Sequence, residues 1–308
     1  MVYYNQMVEM RLQTNLEPRR VLVIGASGLL GSRIFRVLSS KVETYGTYFR
    51  SSSMNLPNVY ELDATNYSEL SRLIKRIQPN RIINCLGLTD VEACDRRPEA
   101  SWKLNTEIPI QISRLSQEIS AQFIHISTDH FDSSLQEPRD ESVLMKPLNQ
   151  YGFAKFAAEN SILYENTNAL IMRTNFFGFS KKVDKSILNF AVTALRDKRS
   201  IDGFSDVFFT PVGISDLARF LLADQSIFNS GLLNFAGRDT ISKYDFLRLI
   251  AQIMGNSESL VREASIKDSK LTVPRPSYLA LSPNRLVNDL GYPIPSLREM
   301  LENEIAEL

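Results

Sequence analysis

The 308-residue sequence contains little of the chemistry that cross-links small extracellular domains or binds metal ions. It has two cysteines, Cys85 and Cys94, and two histidines, His125 and His130. Cys85 lies in an apolar run and Cys94 in a polar stretch, so the pair does not indicate a disulfide framework, and we expect a reducing, cytoplasmic environment. Neither histidine is spaced from a cysteine as zinc ligands are, so no metal site is predicted.

The sequence also lacks an excess of charge and a long hydrophobic run at its start. Lysine plus arginine and aspartate plus glutamate number 35 each, so neither nucleic acid nor an anionic membrane is predicted as a partner. Residues 1–19 contain neither the apolar core of a signal peptide nor a span that could cross a membrane. We interpret them as an N-terminal arm, which either has no role or contributes a contact in a homodimer.

The sequence does contain a regular alternation of short apolar runs and amphipathic segments. The apolar runs predict strands, and apolar residues spaced three and four apart predict helices. Predicted strands cover residues 21–24, 42–48, 59–62, 81–86, 122–127 and 169–173, and predicted helices cover residues 29–38, 67–77, 98–119 and 151–164. This order predicts an α/β fold, a Rossmann-type, doubly wound parallel sheet with helices on both faces.

The alternation becomes irregular after residue 175, where loops rich in Phe, Gly and Pro separate predicted helices at residues 186–195, 214–223 and 242–254. We interpret residues 20–175 as a dinucleotide-binding domain and residues 176–308 as mainly a smaller substrate-binding lobe. Residues 231–236 are expected to return to the Rossmann sheet as one further strand. The two parts are therefore predicted to be interleaved.

A glycine-rich turn joins the first predicted strand to the first predicted helix, with the sequence GASGLLG at residues 25–31. Backbone N–H groups and the helix dipole at such a turn bind a pyrophosphate, and a side chain would hold the phosphates off. Any tight turn could explain the glycines alone, but this position predicts a nicotinamide dinucleotide. The predicted cofactor contacts of the turn are Gly25, Ser27, Gly28, Leu29, Leu30 and Gly31.

The end of the second predicted strand carries no acidic residue. Cofactors with a free ribose 2′-hydroxyl are usually met there by Asp or Glu, whereas this sequence has Arg50 followed by Ser51. A guanidinium and a hydroxyl suit a 2′-phosphate, so NADPH (NADP) is predicted in preference to NADH. An exposed loop arginine without a role in binding is the alternative.

A single Tyr-x-x-x-Lys pattern occurs in the chain, at Tyr151 and Lys155. Residues four apart share a helix face, so the two side chains are expected to lie close together. The ammonium of Lys155 is expected to lower the pKa of Tyr151, which makes Tyr151 a plausible proton donor to a carbonyl oxygen as hydride arrives. Ser127 and Thr128 precede the pair at the polar end of a predicted strand.

In their order along the chain, these motifs resemble the extended short-chain dehydrogenases/reductases, and within them the dTDP-4-dehydrorhamnose reductase family of sugar-nucleotide reductases. The resemblance runs from residue 21 to about residue 290. The matching stretches are GASGLLG, NCLGLTDVEACDRRPEASWKLN, ISTDHF, PLNQYGFAKFAAE, MRTNFFG, DVFFTPVGISDLA, LNFAG and RPSYLALSPNRL.

The resemblance implies an NADPH-dependent reductase of the 4-keto group of a nucleotide-linked 6-deoxyhexose, in deoxysugar nucleotide biosynthesis. It implies that Thr128 orients the ketone, Tyr151 protonates its oxygen and Lys155 holds the nicotinamide ribose. Further implied cofactor contacts are Asp63, Ala64, Cys85, Leu86 and Gly87. Predicted substrate contacts are Thr128, Asp129, Asn175, Phe176 and Arg275, the arginine offering its charge to a nucleotide diphosphate.

Structural roles remain open for several of these residues. Asp63 could cap a turn, and Asn105, which matches an asparagine associated with the family's active site, could bond the backbone of its own helix. Phe176 could be a core residue, and Arg275 could form a surface salt bridge. The acidic cluster of Asp90, Glu92 and Asp95 is expected to be a solvated helix start, and His125 a packed core residue.

The sequence departs from the family beside Thr128, where STDHFDS replaces the usual S-T-D-Y-V-F-D-G and is one residue shorter. His130 also stands where nucleotide-sugar dehydratases carry glutamate, so elimination is not predicted. The change puts the substrate in doubt more than the reaction. Two other functions stay open: a non-catalytic dinucleotide-binding subunit like the regulatory β subunit of methionine adenosyltransferase, and a nucleotide-sugar epimerase.

Overall fold

The computed structural model describes residues 20–50, 56–132, 135–180, 186–222 and 230–308. The predicted N-terminal arm and the predicted cofactor contact Ser51 lie outside these residues. The strands are β1 (Arg20–Ile24), β2 (Glu43–Tyr48), β3 (Val59–Glu61), β4 (Arg81–Asn84), β5 (Gln122–Ile126), β6 (Ala169–Arg173), β7 (Phe176–Phe177), β8 (Ile201–Phe204), β9 (Phe208–Phe209), β10 (Val212–Gly213), β11 (Gly231–Asn234), β12 (Ile241–Ser242) and β13 (Val261–Ala264).

Helices connect most of these strands. They are α1 (Leu29–Ser39), α2 (Tyr67–Ile77), α3 (Val91–Arg96), α4 (Pro98–Trp102), α5 (Ile108–Glu118), α6 (Gln150–Glu165), α7 (Ile187–Arg196), α8 (Ile214–Leu222), α9 (Lys243–Ile253) and α10 (Leu297–Ile305). In the described part of the chain, none of them combines the length and the hydrophobicity needed to cross a membrane.

Seven strands form one parallel sheet in the order β11-β6-β5-β4-β1-β2-β3. The first strand shows how the sequence builds its two faces. Val21 and Val23 belong to one hydrophobic core, and Leu22 and Ile24 to the other, because successive side chains of a strand point to opposite faces. Helices cover both faces, so the predicted Rossmann-type, doubly wound fold is confirmed.

The connections leave β1 and β4 toward opposite sides of the sheet, although the two strands pair side by side. Helix α1 follows β1 and packs against α8 on one face, whereas α5 precedes β5 and packs against α2 and α6 on the other. In open α/β sheets, ligands bind in the crevice outside the carboxyl ends of two such strands. This crevice contains the glycine turn and the segment after β4.

The C-terminal part contributes to the sheet and also builds a smaller layer beside it. Strand β11, within the stretch expected to return to the sheet, pairs with β6. Short two-stranded sheets join β7 to β10, β9 to β12 and β8 to β13, and α7 packs against α9. One hydrophobic core includes residues of both parts, and the assignment of two domains stays a prediction.

One predicted helix is divided in the structure. Residues 98–119 form α4, then a π-helical turn at Lys103–Glu107, then α5. Single π-helical turns occur often at functional sites because they displace one residue from the regular spacing. The turn contains Asn105, whose side chain bonds outside the helix, as described below.

Candidate active site

The three glycines of the turn differ in their backbone conformation and in the atoms around them. Gly25 has φ of +87°, a backbone conformation that favours glycine. A Cβ atom on Gly31 would lie 2.2 Å from the carbonyl oxygen of Gly25, whereas a Cβ on Gly28 would meet nothing nearer than 3.5 Å. Gly31 therefore permits close packing of helix on turn, and Gly28 is the glycine that leaves room for a phosphate.

The first turn of α1 has the donors that an anion requires. Gly28 is the N-cap residue of this helix and makes no side-chain cap hydrogen bond, and the first turn contains no acidic residue. The first N–H groups of a helix lack partners inside the helix, and the dipole gives this end a partial positive charge. The predicted contacts Leu29 and Leu30 contribute through this backbone, and the half-buried Ser27 precedes it.

Two buried asparagines hold the segment after β4 against the glycine turn. Asn84 Oδ1 accepts a hydrogen bond from Leu86 N (3.1 Å), and Asn105 Oδ1 accepts one from Leu88 N (3.0 Å). A Cβ atom on Gly25 would lie 3.1 Å from Leu86 N, and one on Gly87 would lie 2.9 Å from Asn105 Oδ1. Asn105 thus bonds the backbone of this loop, and within its own helix it bonds the side chain of Ser101 (Nδ2 to Oγ, 3.3 Å). The predicted contacts 85–87 consequently lie beside Gly25.

The adenine end of the predicted cofactor site is more exposed. Arg50 lies at the surface after β2, with its guanidinium carbon 4.7 Å from the centroid of the Phe49 ring. Asp63 accepts hydrogen bonds from Thr65 Oγ1 (2.6 Å) and Thr65 N (2.9 Å). These bonds lower the pKa of Asp63, with a smaller contribution from Arg50. Asp63 caps a turn, as the alternative interpretation expected, and the neighbouring Ala64 is buried.

The three predicted catalytic side chains converge where β5 ends against α6. Thr128, Tyr151 and Lys155 are exposed by 5%, 8% and 4%. Asn149 caps α6 by accepting a hydrogen bond from Gly152 N (2.9 Å), which places Tyr151 in the first turn. Lys155 Nζ donates to the carbonyl oxygen of Ile126 (2.7 Å). The helix and the strand end are therefore joined through the lysine.

The expectation that Lys155 lowers the pKa of Tyr151 is wrong. Burial raises the pKa of Tyr151, and a hydrogen bond with Thr128 opposes this only in part. Burial also lowers the pKa of Lys155 to about 8, and its ammonium is directed to the Ile126 carbonyl and to His125 Nε2 (3.3 Å). Tyr151 therefore carries its proton at neutral pH, which is the form that a general acid needs.

A buried cluster of Ser127, Glu159 and Arg173 lies one helical turn beyond Lys155. Arg173 Nη2 and Glu159 Oε2 are 2.7 Å apart, with side chains exposed by 5% and 2%, and Ser127 Oγ donates to Glu159 Oε1. Glu159 is not among the site residues predicted from the sequence. The sequence contains a pattern that could have indicated it: a spacing of four residues places Glu159 on the same helix face as Tyr151 and Lys155.

A cleft of about 290 Å³ opens beside His130, between the loops that follow β5 and β6 and the C-terminal layer. Its polar lining includes the predicted substrate contacts Asn175 and Arg275, together with His130 and Lys243. Asn175 Nδ2 donates to Asp129 Oδ2 (2.6 Å). Burial raises the pKa of Asp129 to about 6. Most other lining side chains are apolar: Ile187, Phe190, Phe204, Val207, Leu247, Ile266, Leu271, Pro276 and Leu279.

His130 connects this cleft to the catalytic side chains. Its ring contacts that of Tyr151 edge-on, with the ring centroids 5.7 Å apart. Its backbone N donates to Thr128 Oγ1 (3.1 Å). Burial lowers the pKa of His130 to about 4, and the charge of Arg275 adds to the effect. The imidazole is therefore neutral at pH 7. His125, in contrast, is fully buried within β5, as expected for a core residue.

Arg275 belongs to a segment that covers Tyr151. Its guanidinium forms an ion pair with Glu92, each side chain being 24% exposed, so the expectation that Glu92 is solvated is wrong. Asn149 Nδ2 donates to the carbonyl oxygen of Pro274 (2.8 Å), and Val273 belongs to one buried cluster with Tyr151. The polar residues around Glu92 predicted exposure to solvent. Instead, a segment from a distant part of the chain packs over Glu92 and supplies its partner Arg275.

The positions of Phe176 and Lys243 differ from what the sequence predicts. Phe176 pairs with Val212 in a two-stranded sheet and packs against the core, so it does not line this cleft. Lys243, which was not selected, is the first residue of α9, after the N-cap Ser242. A lysine in the first turn opposes the helix dipole, and this conflict was the signal available in the sequence.

A protein-family model described as the RmlD substrate binding domain matches residues 19–308. The chain belongs to this family. The similarity to extended short-chain dehydrogenases/reductases that the motifs predicted is thereby confirmed. The match is continuous and includes the glycine turn, Thr128, Tyr151 and Lys155.

Individual relatives are distant but nearly complete in length. The chain is 25% identical over 284 residues to a probable low-salt glycan biosynthesis reductase of Haloferax volcanii, covering 91% of this chain and 95% of the relative. It is 28% identical to methionine adenosyltransferase 2 subunit beta of Mus musculus, covering 81% and 76%. The crystal structure of a dTDP-4-dehydrorhamnose reductase from Clostridium acetobutylicum matches with a TM-score of 0.82 at 25% identity, covering 94% and 99%.

Proposed function

We propose that this RmlD-family protein is an NADPH-dependent reductase of the 4-keto group of a nucleotide-linked 6-deoxyhexose. One observation supports the proposal: Tyr151 forms a hydrogen bond with Thr128 and contacts His130, which lines the cleft, while Lys155 acts electrostatically on Cys85 in the segment after β4. A cofactor in the crevice and a ketone in the cleft would meet beside Tyr151. Such a reductase takes part in deoxysugar nucleotide biosynthesis.

The residues of the crevice fit a dinucleotide. The uncapped first turn of α1 would hold the pyrophosphate, and Arg50 would meet a 2′-phosphate. Lys155, with an ammonium close to the strand end, would hold the nicotinamide ribose. When bound, the reduced nicotinamide supplies the hydride that adds to the ketone carbon.

The proton that the ketone oxygen receives comes from side chains of this protein. Thr128 Oγ1 accepts from His130 N, which leaves its hydroxyl hydrogen free to donate to the ketone or to the phenol. Tyr151 donates its proton to the ketone oxygen as the C–H bond forms, so the carbonyl becomes an alcohol and the phenol becomes a phenolate. The Thr128 hydroxyl, whose hydrogen bond with Tyr151 favours the ionised phenol, stabilises that phenolate. A proton from solvent then restores the phenol.

The test is oxidation of NADPH with a panel of nucleotide 4-keto-6-deoxysugars, followed by the loss of nicotinamide absorbance. Wild-type protein should reduce at least one member. Tyr151→Phe should lower kcat by a factor of about 10²–10⁴, the usual contribution of a general acid. Tyr164→Phe is the matched control, because Tyr164 lies on the same helix and is 90% exposed. Equal turnover by wild type and Tyr151→Phe contradicts the assignment.

A second candidate function is a dinucleotide-binding subunit of another enzyme, without catalysis. The similarity to methionine adenosyltransferase 2 subunit beta favours it. The fold is compatible with both functions. In this case NADPH should bind, no member of the panel should be reduced, and Tyr151→Phe should leave all measured properties unchanged.

A further inference from the structure

The cleft has two cationic side chains in different surroundings, Arg275 and Lys243. Arg275 is already neutralised by Glu92. Lys243 has no carboxylate within salt-bridge distance among the described residues. Its Nζ lies 3.2 Å from the centroid of the Phe209 ring. The face of an aromatic ring attracts a cation, but less strongly than a carboxylate does.

The carboxyl group that acts electrostatically on Lys243 is engaged elsewhere. Asp129 attracts Lys243, but its Oδ2 accepts the hydrogen bond from Asn175 Nδ2. Burial raises the pKa of Asp129 to about 6 and lowers that of Lys243 to about 8. Keeping an ammonium in such a place costs free energy unless an anion meets it. Of the two cationic side chains in the cleft, Lys243 is therefore the one whose charge is available to bind an anionic ligand.

We infer that Lys243 binds the diphosphate of a nucleoside-diphosphate-linked ligand in this cleft. The inference rests on the proposed function for the class of ligand, and it transfers to Lys243 the role that the sequence suggested for Arg275. The polar end at His130 then receives the reacting sugar beside Tyr151. The ion pair of Arg275 with Glu92 holds the segment around Val273 and Arg275 over the site.

The position of Lys243 makes it suitable for substitution. Its backbone N donates to the Val207 carbonyl oxygen (2.9 Å), and Ser242 caps the helix through Asp245 N (3.0 Å), so neither contact involves the Lys243 side chain. Methionine keeps an unbranched stem against the Phe209 ring while removing the charge. Lys267→Met is the matched control, because Lys267 is exposed beside Ile266, which lines the cleft.

The experiment is calorimetric titration of uridine diphosphate and thymidine diphosphate into protein saturated with NADP. Saturation prevents the probes from occupying the glycine turn. Lys243→Met should weaken the affinity by about tenfold or more, as expected for a lost charge-assisted hydrogen bond. Lys267→Met should not change it, and Arg275→Met should change it less than Lys243→Met does.

A pH series separates a charge contact from a structural role. Between about pH 7 and pH 9 the diphosphate is fully ionised, and wild-type affinity should fall as Lys243 loses its proton. The other titratable or charged groups at the cleft are Asp129, His130, Asp202 and Arg275. Lys243→Arg should bind with an affinity that no longer depends on pH in this range, since a guanidinium keeps its charge.

The outcomes distinguish this inference from the proposed function. Diphosphate binding that Lys243→Met leaves unchanged, or that NADP abolishes, overturns the inference even if ketones are reduced. Absence of binding by the wild-type protein also overturns it. Binding that depends on Lys243, together with no reduction of any ketone, supports the inference and contradicts the reductase.

Discussion

The crevice at the glycine turn and the cleft beside His130 are formed by different parts of the protein chain. The crevice offers backbone N–H groups from one short turn, with glycines that allow close approach. The cleft offers side chains from the loops after β5 and β6, from α7, β8 and α9, and from the segment around Arg275. Several of them are titratable. Binding in the crevice should therefore depend little on pH, whereas the cleft should respond to charge and pH.

The largest expected effect concerns the buried cluster of Ser127, Glu159 and Arg173. Glu159→Gln leaves the guanidinium of Arg173 buried without its counter-charge, which should lower the free energy of unfolding by about 3–5 kcal/mol. Glu165→Gln is the matched control on the same helix. Its partner Arg114 is 57% exposed, so the loss there should be at most about 1 kcal/mol. Urea unfolding measures both, and equal losses would show that the buried pair is not special.

The next effect tests the pH response of the cleft. Burial raises the pKa of Asp129 from 3.8 to about 6, so the folded protein holds a proton that the unfolded chain releases. This contribution to stability is present below pH 3.8 and is lost as the pH rises through 6. Asp129→Asn removes the loss, so its stability relative to wild type should increase by about 3 kcal/mol from about pH 4 to pH 8.

The control for Asp129 has the opposite sign. Hydrogen bonds from Ser142 lower the pKa of Asp140, so this carboxylate contributes stability at high pH that is lost as the pH falls. Asp140→Asn should therefore become less stable relative to wild type as the pH rises. Urea unfolding at several pH values compares the two variants, and the same trend in both would contradict a specific effect of Asp129.

A smaller effect tests the glycine turn. Gly31→Ala would place Cβ 2.2 Å from the Gly25 carbonyl oxygen, so we expect a loss of about 1–3 kcal/mol in stability from overpacking. Gly28→Ala meets no such atom, so its fold should be retained while the dinucleotide binds more weakly. Thermal unfolding and NADP titration separate the two. If both variants lose stability equally, the distinction between packing and ligand access is wrong.

The smallest expected effect concerns the choice of dinucleotide. Arg50→Ala removes an exposed guanidinium, so the stability should hardly change. Loss of one charge-assisted contact to a 2′-phosphate should weaken NADP by about tenfold and leave NAD unchanged. An unchanged preference in parallel titrations of the two cofactors would remove Arg50 from the proposal.

Most of the sheet and its helices could be predicted because the signals are local. The alternation of side chains in a strand and the repeat of a helix need no distant partner. For the six-residue helix α3, which Asp90 caps, only a helix start was expected, because the helix is too short to show a repeat. The division of the predicted helix at residues 98–119 was also missed, since the π-helical turn accompanies the contact of Asn105 with Leu88.

In the candidate site too, the features that could be predicted are those whose residues are close together in the sequence. The glycine turn and the Tyr151–Lys155 pair were found because their members are close in sequence. Glu92 and Arg275 are 183 residues apart, and no local pattern links them. The expected pKa of Tyr151 was wrong because spacing along a helix indicates proximity but contains no information on burial.

The sequence by itself determined the order of strands and helices, the phosphate-binding turn and the pairing of Tyr151 with Lys155, since each depends on neighbouring residues. Only the tertiary structure decided which glycine of the turn is closely packed, that Tyr151 keeps its proton, and that Arg275 forms an ion pair while Lys243 does not. These properties depend on solvent exclusion and on charges brought together from distant segments, and both arise only when the chain is folded.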